Sequence, residues 1–132
     1  MIKGVGHIGT AVKNIDESLT AITKALNLPV PPVRDIPEMK LRVAVVNIGG
    51  TGLEFIEDYS EDGRFARIVK EKGNAIHHFC LLTDDIEKDI EILKGRGVEM
   101  ADAKPRLGVR GKRIAFTQPS MLGGIPFELS EP

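Results

Sequence analysis

Asn74-Ala75-Ile76-His77-His78-Phe79-Cys80-Leu81-Leu82-Thr83-Asp84-Asp85 is the stretch whose reading decides the fold. It reads as an apolar strand that runs straight into a helix cap. The same pattern occurs once before, in Gly6-His7-Ile8-Gly9-Thr10-Ala11-Val12-Lys13-Asn14-Ile15. With His78 set on His7, Phe79 meets Ile8, Leu81 meets Thr10, Thr83 meets Val12 and Ile86 meets Ile15. A strand that opens with histidine and ends at a helix start is therefore present twice, and an internal repeat fixes architecture before any local detail does.

Outward from these two strands, the same element order is expected in each half. Asn14 or Asp16 caps a helix with Leu19, Ile22 and Leu26 on one face, stopped at Asn27-Leu28-Pro29. Four prolines, Pro29, Pro31, Pro32 and Pro37, leave room for one short strand near Val33. Leu41 to Ile48 and Leu53 to Glu57 read as strands around a Gly49-Gly50 turn. A helical connector, residues 59–73, carries Phe65, Ile68 and Val69 and stops at Gly73. In the second half Ala75 to Thr83 is a strand, and Asp84 or Asp85 caps a helix with Ile86, Ile90 and Leu93 inward, ended by Gly95 and Gly97. A short strand over Val98 to Met100, a basic loop from Lys104 to Lys112, and strands at Arg113 to Thr117 and Ile125 to Ser130 complete it.

Two βαβββ modules result, about residues 1–58 and 74–132, offset by 71 residues at the first strand and 74 at the last. One helix on a short sheet buries little alone. The expected fold is thus α+β, a single domain over residues 1–132 in which tandem modules form a curved mixed sheet, with helices on one face and a metal-binding cleft on the other.

The bulk properties agree. The chain has 132 residues, 42% hydrophobic and 28% charged, with net charge −1. That length suits one domain, and the charge balance argues against nucleic acid or an anionic membrane as partner. Five phenylalanines, one tyrosine and no tryptophan make a poor base-stacking platform. No apolar run has transmembrane length, and the N-terminal residues do not read as a signal peptide. Cys80, the single cysteine, rules out an intrachain disulfide and suits a reducing, cytoplasmic setting.

Strand parity then sorts the polar residues. Ile8 and Val12, Phe79 and Leu81, Leu53 and Phe55, and Phe127 and Leu129 face the helices. His7, His78, Glu54 and Glu128 fall on the other face, one imidazole and one carboxylate from each module. A carboxylate inside an apolar strand is costly unless paired or ligated. Two imidazoles and two carboxylates make a divalent-metal site of mixed N/O character, suited to Zn, Co, Ni, Mn or Fe. On a six-coordinate ion they would leave two positions open. His77 lies on the opposite face and reads as structural. Cys80 reads as a small core residue rather than a nucleophile. Glu57 and Glu131, three residues beyond the ligand carboxylates, read as solvated. The acid-free cluster of Lys104, Arg106, Arg110, Lys112 and Arg113 is either a phosphate-holding, substrate-binding loop or a solvated one.

The paired modules with His, Glu, His, Glu resemble the vicinal oxygen chelate superfamily, which includes glyoxalase I, extradiol dioxygenases, drug-sequestering resistance proteins and methylmalonyl-CoA epimerases. Within it the chain is most similar to the methylmalonyl-CoA epimerase family. The blocks that carry this are Ile36-Pro37-Glu38, Ala75-Ile76-His77-His78, Lys104-Pro105-Arg106-Leu107-Gly108, Gly111-Lys112-Arg113-Ile114-Ala115-Phe116 and Gly123-Gly124-Ile125-Pro126-Phe127-Glu128-Leu129. The resemblance implies an isomerase that interconverts the two epimers of an acyl-CoA by 1,1-proton transfer through a metal-stabilised enolate. It also implies one divalent ion per site, cobalt first with zinc, nickel or manganese as alternatives, and a homodimer. A glyoxalase I-type lyase uses the same ligand set and is the alternative; a non-catalytic binding protein typically lacks those ligands. The chain departs from the family at three points. Val43 stands where some epimerases have a third-strand glutamate, Gln118-Pro119-Ser120 replaces His-Pro-Lys, and Pro126 sits near the start of the last strand. Without a third-strand acid, the resemblance leaves Glu54 and Glu128 as the acid–base pair.

Overall fold

The computed structural model describes residues Met1–Pro132. Eight strands and three α-helices follow the order β1 (Ile2–Ala11), α1 (Ile15–Leu26), β2 (Arg34–Ile36), β3 (Leu41–Ile48), β4 (Thr51–Asp58), α2 (Arg64–Lys72), β5 (Ala75–Thr83), α3 (Ile86–Gly95), β6 (Arg106–Leu107), β7 (Arg113–Phe116) and β8 (Phe127–Ser130). A 3-10 turn over Pro119–Leu122 precedes β8. The expected order of strand, helix and three strands is thus present twice. No helix is long and apolar enough to cross a membrane.

Two compact units are built from this chain. One is Ile8–His77; the other combines Met1–His7 with His78–Pro132. Both β1 and β5 therefore change unit along their length, just beside a site histidine.

In the Ile8–His77 unit, β2, β3 and β4 are consecutive antiparallel neighbours, with Ala44 opposite Phe55 and Val45 opposite Glu54. Helix α1 starts at Asn14, whose side chain accepts from the Glu17 N–H at 3.0 Å. It ends at Asn27, which takes the left-handed conformation at φ 53° and closes the last turn. Its inner face packs Ile15 and Leu19 against Val12, Ala44 and Val46, with Ile22, Val33, Leu53 and Phe55 around them.

In the second unit, β5 runs parallel to β8, while β8, β7 and β6 pair antiparallel. The Asp85 carboxylate accepts from the Lys88 N–H at 3.1 Å and caps α3. The core joins Ile86, Ile90, Ala115, Phe127 and Leu129 to Phe79, Leu81, Leu93 and Met100. The two cores correspond residue by residue: Ile15 with Ile86, Leu19 with Ile90, Ala44 with Ala115, Leu53 with Phe127 and Phe55 with Leu129. For Val12, Leu53, Phe55, Phe79, Leu81, Phe127 and Leu129 the helix-facing parity read from the sequence is the parity observed.

Three local expectations are corrected. Val33 is a packing residue and the short strand starts one residue later, at Arg34. Val98 to Met100 forms no strand; Met100 makes only an isolated bridge to Thr117. There the Phe116 carbonyl accepts from the Ala101 and Asp102 N–H groups at 2.9 and 3.1 Å, and the Asp102 side chain accepts from the Phe116 N–H at 2.9 Å, so the chain turns instead of continuing. The strand equivalent to β2 is β6, inside the basic loop; two residues are too few to show alternation in sequence. Last, β8 begins at Phe127, because Pro126 has no N–H to give and the Phe127 N–H is taken by Thr117 Oγ1 at 3.1 Å.

Candidate metal and proton-transfer site

The core of the second unit supports a polar face directly behind it. Phe79 and Leu81 point to α3, so His78 and Cys80 point away from it. The parallel register sets Cys80 opposite Glu128, and the antiparallel register sets Phe116 opposite Glu128 on its other side. His7, from the middle of β1, completes the group.

Three ligand types converge there. His7 Nε2 lies 3.1 Å from His78 Nε2. Glu128 places Oε1 3.7 Å from His7 Nε2 and Oε2 3.8 Å from His78 Nε2. The rings of His7 and His78 meet edge-on, and His78 also meets the edge of Phe116. His7, His78 and Glu128 are 2%, 2% and 6% exposed, so the face that carries them is interior. Cys80, fully buried, keeps its thiol within 4.8 Å of the ligand atoms of both His7 and Glu128. Its S–H donates to the Glu128 carboxylate.

Burial sets the protonation of the group. Desolvation, and then the positive charge of Arg110, push His7 down to about 4, so its imidazole is neutral at pH 7. Desolvation raises Glu128, against the opposing hydrogen bond from Cys80 and the charges of Arg110 and Arg106. The neutral His7 ring, the His78 ring and a carboxylate bring nitrogen and oxygen donor atoms together in an apolar interior. Such a set fits a borderline divalent cation, which would offset the desolvation of the acid.

Glu54 occupies the equivalent place in the other unit. It is 3% exposed in the middle of β4, opposite Val45, with Ile56 buried on the same face. Its repeat relation to Glu128 is the one expected. Val43, 6% exposed, faces Ile56 across the β3–β4 pair, so that stretch supplies no carboxylate.

The basic cluster divides. Arg110 Nη2 donates to His7 Nδ1 at 3.0 Å. Arg106 pairs with Asp102 at 2.9 Å and lies over the Phe116 ring. Lys104 and Lys112 are exposed. Arg113 is held between Glu131 and Glu87. The first unit repeats that arrangement, with Arg42 between Asp16 at 3.4 Å and Glu57 at 3.5 Å. Asp16, Arg42 and Glu57 are the repeat mates of Glu87, Arg113 and Glu131. The reading of Glu57 and Glu131 as merely solvated is therefore corrected: Glu57 also accepts the Ile15 N–H at 2.9 Å and helps start α1. Equal spacing in the two copies was the signal that could have revealed these triads. His77 is a packing residue, 8% exposed and edge-on to Phe65, and burial followed by the charge of Arg64 lowers it to about 4.

Comparison with known proteins assigns the family. Residues 6–116 match the model of the Glyoxalase/Bleomycin resistance protein/Dioxygenase superfamily, and the chain belongs to it. The uncharacterized protein YqjC of Bacillus subtilis is 32% identical over 126 residues, spanning 96% of this chain and 90% of that one. The mitochondrial methylmalonyl-CoA epimerase of Bos taurus is 27% identical over 128 residues, spanning 96% of this chain and 73% of its own. A solved methylmalonyl-CoA epimerase in complex with methylmalonyl-CoA and NH4+ superposes with a TM-score of 0.89 at 25% identity, covering 99% of this chain and 95% of that one.

Proposed function

We propose that this member of the superfamily is a metal-dependent epimerase that inverts the α-carbon of methylmalonyl-CoA. The observation that carries the reading is the buried trio of His7, His78 and Glu128, together with likeness to epimerases over nearly the whole chain. Glu54 is proposed as the fourth ligand, on its burial and its repeat relation to Glu128. A divalent cation held by these residues would supply Lewis-acid stabilisation of the charge that develops on the thioester oxygen.

The chain's own groups account for the proton. Inversion needs a base on one face of the carbon and an acid on the other. Glu54 and Glu128 are the two carboxyls available, one ionised and one protonated at the start of each turnover. The ionised carboxylate takes the α-proton as the C–H bond breaks. The electron pair moves onto the thioester oxygen. The protonated carboxyl then delivers its proton to the opposite face, and the pair has exchanged roles. Without a cation, burial of Glu128 favours its neutral form. The neutral state of His7 keeps the imidazole available as a ligand rather than as a competing acid.

The test is solvent exchange. Protein loaded with Co2+ and incubated with methylmalonyl-CoA in D2O should place one deuterium at the α-carbon, read by mass spectrometry. Glu128→Gln should lower that exchange by about 10²–10⁴-fold, the usual contribution of general acid–base catalysis, with an unchanged circular dichroism spectrum. An absence of exchange by the loaded wild-type protein refutes the reading.

A further inference from the structure

Arg110 sits on the turn between β6 and β7, and that turn is closely built. The Gly108 N–H donates to the Lys112 carbonyl at 2.9 Å, and the Gly111 N–H to the Gly108 carbonyl at 3.0 Å. A Cβ on Gly108 would come within 2.9 Å of the Ile114 side chain, and Gly111 takes φ 74°. From this exposed turn the Arg110 guanidinium reaches a histidine that is 2% exposed.

The chemistry of that contact fixes a tautomer. A guanidinium has N–H donors and no acceptor. His7 Nδ1, 3.0 Å from Arg110 Nη2, must therefore present its lone pair. The proton of the neutral ring is then on Nε2, the nitrogen that faces His78 and Glu128 at 3.1 and 3.7 Å. For Nε2 to donate to a cation, the proton must pass to Nδ1. There it would oppose the Arg110 N–H, donor against donor. Uptake of a cation and the Arg110–His7 contact are mutually exclusive for a neutral imidazole.

We propose that Arg110 is the specificity-determining residue of this site: it leaves His7 when a divalent cation is taken up, and then holds the carboxylate of a malonyl-type thioester. The second part rests on the epimerase reading above. Position argues for the carboxylate rather than the phosphates of the CoA. Arg110 is directed at His7, one of the buried ligands around which the epimerase reading puts the reacting carbon, whereas Lys104 and Lys112 lie exposed and Arg106 and Arg113 are tied to Asp102, Glu87 and Glu131. A planar guanidinium also matches a carboxylate through two parallel hydrogen bonds.

The first experiment titrates metal-free wild-type protein and Arg110→Ala with Co2+ by calorimetry, with histidine ring 15N shifts recorded in parallel. The wild-type His7 ring should carry its proton on Nε2. Arg110→Ala should bind Co2+ about tenfold more tightly, the lower end of effects from groups behind a ligand, since a competing contact and a nearby positive charge are both removed. A His7 proton on Nδ1 in the metal-free wild type, or equal Co2+ affinity, overturns the inference. The second experiment compares binding of methylmalonyl-CoA and propionyl-CoA to both Co2+-loaded proteins. Arg110→Ala should weaken methylmalonyl-CoA by about 10–100-fold, the scale of a lost charge-assisted hydrogen bond, and leave propionyl-CoA unchanged. Equal weakening of both assigns Arg110 to the CoA phosphates and overturns it, as does binding of neither by the wild type. Arg110-dependent binding without α-proton exchange sinks the epimerase reading alone. Exchange without Arg110 dependence sinks this inference alone.

Discussion

Arg42 and Arg113 stand at equivalent places in the two copies of the module and do the same thing, each clamping an acid at a helix start to an acid at a strand end. The hairpins beside them differ. In the first copy the turn after β2 closes on itself: the Met39 N–H donates to the Ile36 carbonyl and the Lys40 N–H to the Pro37 carbonyl, both at 3.1 Å, while Tyr59 ties down Asp35 at 2.9 Å. In the second copy the turn after β6 sends Arg110 onto His7. Duplication has conserved what the sheet and core need, because a shared packing geometry tolerates little change. It has not constrained the turns, where one exposed side chain can be exchanged at small cost. The core and the arginine triads repeat, and the turn that carries Arg110 does not.

The comparison can be broken most sharply at the paired acids. Glu128→Gln and Glu54→Gln should each reduce α-proton exchange by about 10²–10⁴-fold if the two act as acid and base. Tritium release measured separately from each substrate epimer should differ between the variants, one losing release from one epimer first. Identical loss from both epimers in both variants would refute one acid on each face of the carbon.

The next largest effect concerns the cores. Leu19→Ala and Ile90→Ala remove equivalent side chains, each 1% exposed. Each should cost roughly 2–5 kcal/mol in urea unfolding. A difference between them of more than about 2 kcal/mol, within that range, would show that one copy is packed much less tightly than its mate.

Acid should weaken the metal-free protein through its buried histidines. His7 and His77 are lowered from 6.5 to about 4. A lowered value in the folded state means the unfolded chain takes up protons first as pH falls. Stability is therefore full above pH 6.5 and declines as pH drops toward 4, by roughly 2 kcal/mol per group at pH 5. His77→Asn should flatten the decline between pH 7 and pH 5 in denaturant titrations. An unaltered slope would remove His77 from the account.

The smallest effect belongs to the triads. Arg42→Ala and Arg113→Ala should lower the melting temperature by only about a few degrees, since exposed ion pairs are screened by water and salt. Neither should change methylmalonyl-CoA binding, in contrast to Arg110→Ala. A selective loss of binding in Arg113→Ala would return that residue to the substrate loop.

Much of this was legible in the chain itself. The offset between His7 and His78 and the alternation around Glu54 and Glu128 gave both modules and the inward parity of β4, β5 and β8, because β periodicity depends on local backbone geometry alone. The caps at Asn14 and Asp85 were legible for the same reason. The strand at Arg106–Leu107 was not. Two residues carry no period, and their pairing with Ile114 and Arg113 is a property of the fold. Nor did composition distinguish the five basic residues from Lys104 to Arg113.

By itself, then, the sequence determined the repeat and the fold class, and it singled out His7, Glu54, His78 and Glu128 as the candidate residues. Tertiary structure decided which groups meet: that Glu128 lies within 3.8 Å of both imidazoles, that Cys80 backs it, that Arg113 is spent on Glu87 and Glu131, and that Arg110 is turned onto His7. The physical reason is range. Periodicity and capping act over a few residues, whereas the contact between Arg110 and His7 joins residues 103 apart in the chain, and only folding brings them together.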